Sequence, residues 1–237
     1  MKILHNSDWH LGHTLYNYDR SLEQQAFLKQ LARIAAEEKP DAMVVSGDIY
    51  HYSTPSATTQ KMYTDGMLEI HRACPEMTIV VTAGNHDSSS KLEIDSNLWN
   101  HFGVRVVGNI ERNQEEVNLE KHIVEVKDKE GNLKGYIIAV PHVYPQNFPM
   151  LDTETPREER QARFFQALQD EVEKMNVKRL PVVLMAHLSI EGSDRTGHDE
   201  TVGGIEYVPI SSMGEGYDYL ALGHIHCPQN ILSLIHI

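Results

Sequence analysis

Five short apolar segments of this chain each lead into side chains of the types that commonly bind metal ions. The clearest is the β-branched segment 78–83, which runs directly into Gly84-Asn85-His86-Asp87. Such segments, bounded by Gly or Pro, are typical of buried strands. Open α/β folds collect their ligands at the carboxyl ends of the strands. The repeated pattern therefore predicts an α/β protein with a site at one edge of its sheets.

The other four segments end in the same manner. The predicted strand 2–6 leads to Asp8 and His10, and the predicted strand 41–46 leads to Asp48. Later in the chain, strand 181–185 leads to His187, and strand 219–222 leads to His224 and His226. Helical periodicity from residue 21, from Pro55 and over 90–102 separates the first strands, as in β-α-β units. Residues 21–24 also have the form of a capping box, which predicts a helix start at Ser21.

The middle of the chain changes character. Residues 104–107 predict a strand, and residues 123–126 and 136–140 predict a hairpin around Gly131. This meander indicates a second sheet or the far edge of the first. A further helix is predicted with Pro156 at its first position, and the polar, Gly-containing segment 189–204 predicts a loop over the site.

Length and composition limit the function classes. The 237 residues suffice for one large α/β domain. A formal charge of −13 argues against a protein that binds polyanions nonspecifically, because Lys and Arg supply most of the affinity for nucleic acid. Bound divalent cations would, however, alter the charge balance locally. Two cysteines make no disulfide framework, and the sequence carries no signal-peptide core or membrane-spanning run. A cytoplasmic protein is expected.

The residue types at the strand ends indicate which ions they would bind. They offer oxygen and imidazole nitrogen without thiolate, which suits manganese, iron or zinc better than a structural zinc site or a calcium cage. Alternate residues of an extended chain point the same way, so Asp8 with His10, and His224 with His226, are each expected to bind one ion. Seven ligands suit two ions that share a carboxylate, roughly 3.5–4 Å apart.

The order of these motifs resembles the calcineurin-like metallophosphoesterase superfamily. D-x-H, G-D, G-N-H-D, a lone His after a strand, and G-H-x-H occur in that order between Asp8 and His226. Residues 7–12 and 47–51, with Pro55-Ser56, are similar to the SbcD branch, the nuclease subunits of SbcC/SbcD DNA-repair complexes. The resemblance implies an α/β fold in which a sandwich of two β-sheets is flanked by helices in four layers, with a dinuclear site usually active with Mn²⁺.

The resemblance also implies a role for each motif residue. The first ion would be held by Asp8, His10, Asp48 and His226, and the second by Asp48, Asn85, His187 and His224. His86 and His51 would lie outside the metal shell as catalytic residues close to the phosphate. The protonated imidazole of His86 could stabilise developing negative charge or protonate the leaving oxygen. Asp87 either orients that imidazole or caps the turn.

The remaining histidines match none of the motifs. They are predicted to be surface or packing residues: His5, His13, His71, His101, His122, His142, His198 and His236.

The expected function is a metal-dependent DNA nuclease, with exonuclease and endonuclease activity at DNA ends or hairpins. The implied partners are DNA, an SbcC-like ATPase subunit and a second copy of the chain in a homodimer, without a membrane. The two ions would be Mn²⁺, with Fe²⁺ or Zn²⁺ as alternatives. Two other functions stay open: a phosphoesterase for small diesters such as cyclic nucleotides, and a metal-free interaction scaffold.

The chain's end departs from the resemblance. SbcD-like proteins continue past G-H-x-H with further strands, a cap domain and an ATPase-docking segment, none of which is expected here. Residues 232–237 resemble the translation of a transposon tag used in sequencing libraries. We expect residues 1–231 to form a metallophosphoesterase domain incomplete at its C-terminus, with 232–237 as non-native sequence. Amplifying the gene from source DNA tests this expectation.

Overall fold

A computed structural model describes residues 1–113, 116–194 and 207–229 of the chain. The predicted sequence tag at 232–237 and most of the predicted loop at 189–204 lie outside these residues. The described strands, in chain order, are β1 Ile3–Asn6, β2 Thr14–Leu15, β3 Tyr18–Asp19, β4 Ala42–Ser46, β5 Thr78–Thr82, β6 Val104–Val107, β7 Arg112–Asn113, β8 Glu116–Val117, β9 Ile123–Lys127, β10 Leu133–Val140, β11 Val182–His187 and β12 Tyr219–Gly223.

The α-helices are α1 Ser21–Glu38, α2 Ala57–Ala73, α3 Ser89–Leu92, α4 Ser96–Asn100 and α5 Arg160–Met175. Short 3₁₀ turns lie at Glu120–His122, Pro145–Asn147, Arg157–Glu159 and Ile210–Met213.

Eight strands form two four-stranded sheets. The first sheet has the order β1-β4-β5-β6 and is parallel throughout. The second has the order β12-β11-β10-β9, in which only β9 runs antiparallel, as the hairpin partner of β10. The meander predicted in the middle of the chain thus contributes to a second sheet.

The two sheets pack face to face between layers of helices. Side chains alternate across β4: Val44 faces the second sheet, and Val45 faces the core beneath α1 and α2. On the second sheet, α5 packs Phe164 and Phe165 onto β10 and β11. Because both faces of these strands are buried, their sequences read as continuous apolar runs. The four-layer α/β sandwich expected from the sequence is confirmed.

Local details differ from the sequence-based expectations. The helix predicted over 90–102 is two short helices, α3 and α4, because the chain turns between them and leaves Ile94 and Leu98 exposed. The predicted capping box at Ser21 does not form, since the Asp19 carboxylate accepts the Ser21 N–H at 2.8 Å. Pro156 precedes a 3₁₀ turn, and α5 begins only at Arg160.

Within the described part of the chain, the helices are too short or too polar to cross a bilayer.

Candidate metal centre

The candidate site lies where the carboxyl ends of the two sheets meet. Strands β1, β4 and β5 of the first sheet end there beside β11 and β12 of the second. The Ser46 hydroxyl donates to the Ala221 carbonyl at 2.9 Å, which ties β4 to β12 across the sandwich. The residues that follow these strands therefore face one another across the junction of the two sheets.

One group of donors comprises Asp8, His10, Asp48 and His226, each with one ligand atom within 4.8 Å of the others. His10 Nε2 lies 3.0 Å from His226 Nε2 and 3.5 Å from Asp48 Oδ2. His226 Nε2 lies 3.6 Å from Asp8 Oδ1. These four residues come from three strand ends and are the four that the resemblance assigns to the first ion.

A second group surrounds the side-chain oxygen of Asn85. Asn85 Oδ1 lies 2.9 Å from His187 Nε2 and 3.0 Å from His224 Nδ1. His187 Nε2 is also 3.4 Å from Asp48 Oδ2. Asp48 Oδ2 is thus adjacent to both groups, so one carboxylate oxygen joins the two candidate sites.

The donor spacings fit divalent ions. Two adjacent ligands that are each roughly 2.0–2.2 Å from one ion lie about 2.8–3.6 Å apart in octahedral or tetrahedral geometry. The individual contacts named above span 2.9 to 3.6 Å, and all ligand atoms of the first group lie within 4.8 Å of one another. Oxygen and imidazole nitrogen are also the donors that manganese, iron and zinc accept. The residues present could therefore hold two such ions.

Backbone strain is concentrated at this site. Among the described non-glycine residues, eight have positive φ, and four of these are candidate ligands: Asp8 at 55°, His10 at 44°, Asp48 at 52° and His224 at 97°. Left-handed conformations of this kind cost on the order of 1–3 kcal/mol each and concentrate at functional sites.

The structure corrects the expectation for one of the two extended pairs, since Asp8 and His10 lie in one donor group but His224 and His226 do not. The chain turns at His224, so His224 and His226 belong to different groups of donors. The separation agrees with the resemblance and contradicts the argument from alternate residues in an extended strand.

Two glycines allow the strand ends to approach closely. Gly47 has φ of +85°, and a Cβ there would lie 2.2 Å from His187 Nδ1. A Cβ at Gly84 would lie 2.1 Å from Asp48 Oδ1 and 2.3 Å from the Asp48 backbone nitrogen. Only a residue without a side chain fits at either position, which explains the Gly before Asp48 and before Asn85.

Hydrogen bonds fix the orientation of two imidazoles. His187 Nδ1 donates to the Ser46 carbonyl at 2.7 Å, so its Nε2 faces Asn85 and Asp48. His10 Nδ1 lies 3.3 Å from His51 Nδ1, so the other ring nitrogen of His10, Nε2, faces the first group of donors. A backbone or side-chain partner on the distal nitrogen is the usual way in which proteins orient a metal-binding His.

The buried charges favour a cation at the centre. Burial disfavours a proton on His187, yet the Asp48 carboxylate outweighs burial and raises the pKa of His187 to about 9. Burial alone would raise the pKa of Asp48, but His187 and the His86 backbone N–H hold that pKa well below its usual range. Burial lowers the pKa of His10 to about 3, against the attraction of Asp48. His10 is therefore a neutral donor, and Asp48 is an anion next to a position that stabilises positive charge.

His86 and His51 lie beside the donor groups. The His86 ring is 4.8 Å from that of His10 and 5.2 Å from that of His51, between centroids. His86 Nδ1 donates to the His51 carbonyl at 2.8 Å, so Nε2 is the ring atom left for a substrate. Burial and the neighbouring imidazoles of His13 and His86 lower the pKa of His51 to about 4.

Asp87 has the capping role, one of its two predicted alternatives. Its carboxylate accepts the backbone N–H groups of Gly84, Ile49 and Tyr50 at 2.8, 3.1 and 2.9 Å. Burial raises its pKa to about 6, against these three donors. Asp87 thus holds the loop after β5 to the loop after β4, and it makes no hydrogen bond to the His86 imidazole.

Two residues near the site were predicted only as surface or packing residues. His142 follows β10, donates its backbone N–H to Ala83, and brings Nδ1 to 3.3 Å from the His187 carbonyl. His13 packs against His51 with the rings tilted by 42° and their centroids 4.3 Å apart. His142 also comes directly after a predicted strand, and that position was the sequence signal. Nothing in the sequence indicated the position of His13.

Comparisons with known proteins find similar sequences across nearly the whole chain. A family model described as calcineurin-like phosphoesterase matches residues 1–228. Three curated relatives are named as the SbcD subunit of the nuclease SbcCD. The protein of Rhodobacter capsulatus is 31% identical and that of Bacillus subtilis 28%, each across 98% of this chain, and that of Escherichia coli K12 is 26% identical across 100%.

The alignments cover 59%, 58% and 59% of these relatives, so the chain spans about three fifths of their length. The family match extends over all seven candidate ligands. The chain belongs to the calcineurin-like phosphoesterase family.

Proposed function

We propose that the chain is a metal-dependent nuclease that hydrolyses phosphodiester bonds at DNA ends or hairpins, as a double-strand exonuclease and a single-strand endonuclease. The observation that carries the proposal is the position of Asp48 Oδ2, 3.5 Å from His10 Nε2 and 3.4 Å from His187 Nε2. One shared carboxylate between two sets of donors is the arrangement of a two-metal hydrolase.

Each ion has a proposed ligand set in this chain. Asp8, His10, Asp48 and His226 would hold the first ion, and Asp48, Asn85, His187 and His224 the second. We propose Mn²⁺ as the ion, since the mixed oxygen and imidazole set suits it. When bound, two divalent ions would neutralise phosphate charge and lower the pKa of a bound water.

Protein side chains would then complete the chemistry. His86 Nε2 would donate a proton to the leaving oxygen, because its Nδ1 is already committed to the His51 carbonyl at 2.8 Å. General acid catalysis of this kind contributes on the order of 10²–10⁴-fold. His51, which stacks on His86 at an interplanar angle of 25°, would orient the substrate beside it.

DNA is proposed as the substrate because the relatives are named nucleases. The name SbcCD also joins SbcD to an SbcC component, which supports an SbcC-like ATPase partner. A homodimer is supported by Ile94 and Leu98, apolar side chains 78% and 58% exposed around α4. Action on DNA is consistent with the expected cytoplasmic location.

The test is Mn²⁺-dependent hydrolysis of two substrates: end-labelled hairpin and duplex DNA, and the small diester bis(p-nitrophenyl) phosphate. Asp48→Asn keeps the size of the shared carboxylate but removes its charge, and His86→Gln removes the proton donor. His101→Gln changes an exposed histidine after α4 and is the matched control.

We expect both substrates to be cut by the wild type and by His101→Gln, and loss of cleavage in the other two variants. Cleavage of the small diester alone, even with the ATPase partner added, would refute the DNA substrate and favour the small-diester alternative. A protein that hydrolyses neither substrate with Mn²⁺, Fe²⁺ or Zn²⁺ would refute the phosphodiesterase.

A further inference from the structure

Three tyrosines stand exposed on two loops beside the candidate metal centre. Tyr16 and Tyr18 belong to the β2–β3 hairpin and are 96% and 60% exposed, and Tyr52 follows β4 and is 54% exposed. We call these three residues the aromatic rim. Large aromatic side chains so exposed contribute little to the core, so their role is better sought in binding.

The two loops of the rim leave the metal centre together. Leu11 and Tyr50 form a parallel bridge, and the His51 N–H donates to the Leu11 carbonyl at 3.1 Å. The β2–β3 hairpin begins three residues after Leu11, and Tyr52 lies two residues after Tyr50. Ring contacts continue outward from this bridge: His51 lies against His13 at a tilt of 42° and against Tyr52 edge to face, with centroids 4.3 and 4.6 Å apart.

The hairpin tip holds its tyrosine in a strained position. Tyr16 and Asn17 form the two-residue turn, with φ of +47° and +66°. Hairpin turns of this kind favour Asn and Gly, and a bulky residue at positive φ is an outlier. Strain at an exposed residue beside a candidate active site is typical of functional positions.

Both loops are fastened at their bases. The buried Gln24 side chain accepts the Gly12 N–H and donates to the His10 carbonyl, each at 3.0 Å. On the other loop, the Lys91 ammonium donates to the Thr54 hydroxyl at 2.9 Å. The rim is therefore carried on loops whose positions are fixed relative to the metal centre.

Positive charge accompanies the rim. Arg20 lies at the end of the hairpin, with Nη1 3.3 Å from His13 Nδ1, and Lys91 contacts Thr54, two residues after Tyr52. The one carboxylate of the hairpin, Asp19, is already bonded to the Ser21 backbone and hydroxyl. Single-stranded nucleic acid has an anionic backbone and aromatic bases, so it complements this combination of tyrosines and cations.

We propose that the aromatic rim stacks unpaired bases of single-stranded DNA next to the phosphodiester held at the metal centre. The net charge of −13 limits the affinity that phosphate neutralisation can supply, whereas stacking does not depend on net charge. Bases within a duplex have their faces covered, so the rim selects frayed ends and hairpin loops. This inference rests on the proposed nuclease function and adds the substrate class that the site recognises.

The experiment measures binding without cleavage. The probe is a fluorescein-labelled 12-nucleotide single strand, titrated with the full chain in Ca²⁺ and followed by fluorescence anisotropy. A second probe of the same length carries abasic sites throughout, so it keeps the phosphates and removes the bases. The variants are Tyr16→Ala, Tyr52→Ala and the corresponding Tyr→Phe changes, with folding checked by circular dichroism. Val177→Ala alters an 86% exposed side chain beyond α5 and is the control.

We expect each Tyr→Ala change to weaken binding of the normal strand roughly 5- to 150-fold, the effect of one stacked base, and the abasic strand to be affected far less. Tyr→Phe should keep most of the affinity, because it retains the ring. Wild-type affinity in both Ala variants, equal losses on both probes, or no measurable binding by the wild type would overturn the inference. In those cases the rim is free to cover a protein partner instead.

The failures of the two proposals are distinguishable. Suppose that the wild-type chain binds the normal strand through the tyrosines but hydrolyses neither DNA nor bis(p-nitrophenyl) phosphate. That result would refute the nuclease function and leave the base-stacking role of the aromatic rim intact. Cleavage of both substrates, together with DNA binding that does not depend on Tyr16 and Tyr52, would support the nuclease function and refute the base-stacking role.

Discussion

Gly84→Ala is the substitution that most directly tests how the strand ends build the metal centre. The added Cβ would lie 2.1 Å from Asp48 Oδ1 and 2.3 Å from the Asp48 backbone nitrogen, whereas real Cβ contacts essentially never fall below 3.0 Å. The shared carboxylate must therefore move by about 0.9 Å or more, and rotation of its side chain does not relieve the backbone contact. Overpacking of this kind costs roughly 1–3 kcal/mol of unfolding free energy.

The functional loss should exceed the loss of stability. Displacing a catalytic group by about 1 Å can reduce activity on the order of 10²-fold. We expect kcat/KM for bis(p-nitrophenyl) phosphate in Mn²⁺ to fall by that factor, while urea denaturation shows a folded protein.

Gly131→Ala is the matched control. Gly131 lies in the β9–β10 turn with φ of +83° and nothing within 4 Å of an added Cβ. The G131A variant should lose about 1 kcal/mol of unfolding free energy through backbone strain and keep the wild-type kcat/KM. Wild-type kcat/KM in G84A would refute the reasoning, because Asp48 would then not depend on this contact.

Three further predictions follow from individual residues. His86→Gln should lower kcat by roughly 10²–10⁴-fold with unchanged metal content by mass spectrometry, and parallel loss of metal would contradict a proton-donor role. Burial lowers the pKa of His122 to about 4 in the folded protein. Below pH 6.5 the unfolded chain therefore binds more protons at this residue than the folded chain does. The free energy of unfolding of the wild type should consequently fall by up to about 3 kcal/mol between pH 6.5 and pH 4. In His122→Phe that part of the pH dependence should disappear from urea titrations, and its persistence would assign it to other groups. Phe165→Ala should cost about 3–5 kcal/mol of unfolding free energy, because Phe165 is fully buried beneath the second sheet, and a loss near zero would contradict that packing.

The fold was predictable where a strand is buried on both faces. Val44 and Val45 point to opposite sides of β4, and each side packs on another layer, so the apolar run is continuous and easily recognised. The boundary between α3 and α4 was not predictable. Leu92 and Trp99 are buried at spacings that a single helix also allows, and only the tertiary packing shows that the chain turns between them.

At the site, the sequence predicted which residues meet but not how the backbone presents them. Asp8, His10, Asp48 and His224 adopt positive φ, a conformation that residue type does not specify. Sequence reasoning also gave no sign that the Ser46 carbonyl orients His187, because a backbone acceptor has no signature in the sequence. His142 was recognisable only by its place after a strand, and its contact with His187 depends on how the two sheets stack.

The central claim is that two ions share Asp48, and the stoichiometry and magnetic coupling of bound Mn²⁺ test it most directly. Titration of the metal-depleted chain, followed by electron paramagnetic resonance, should give two Mn²⁺ per chain with an exchange-coupled spectrum. Asp48→Asn should abolish the coupling, and His101→Gln should preserve it. A single uncoupled Mn²⁺, or coupling that survives in Asp48→Asn, would contradict the account.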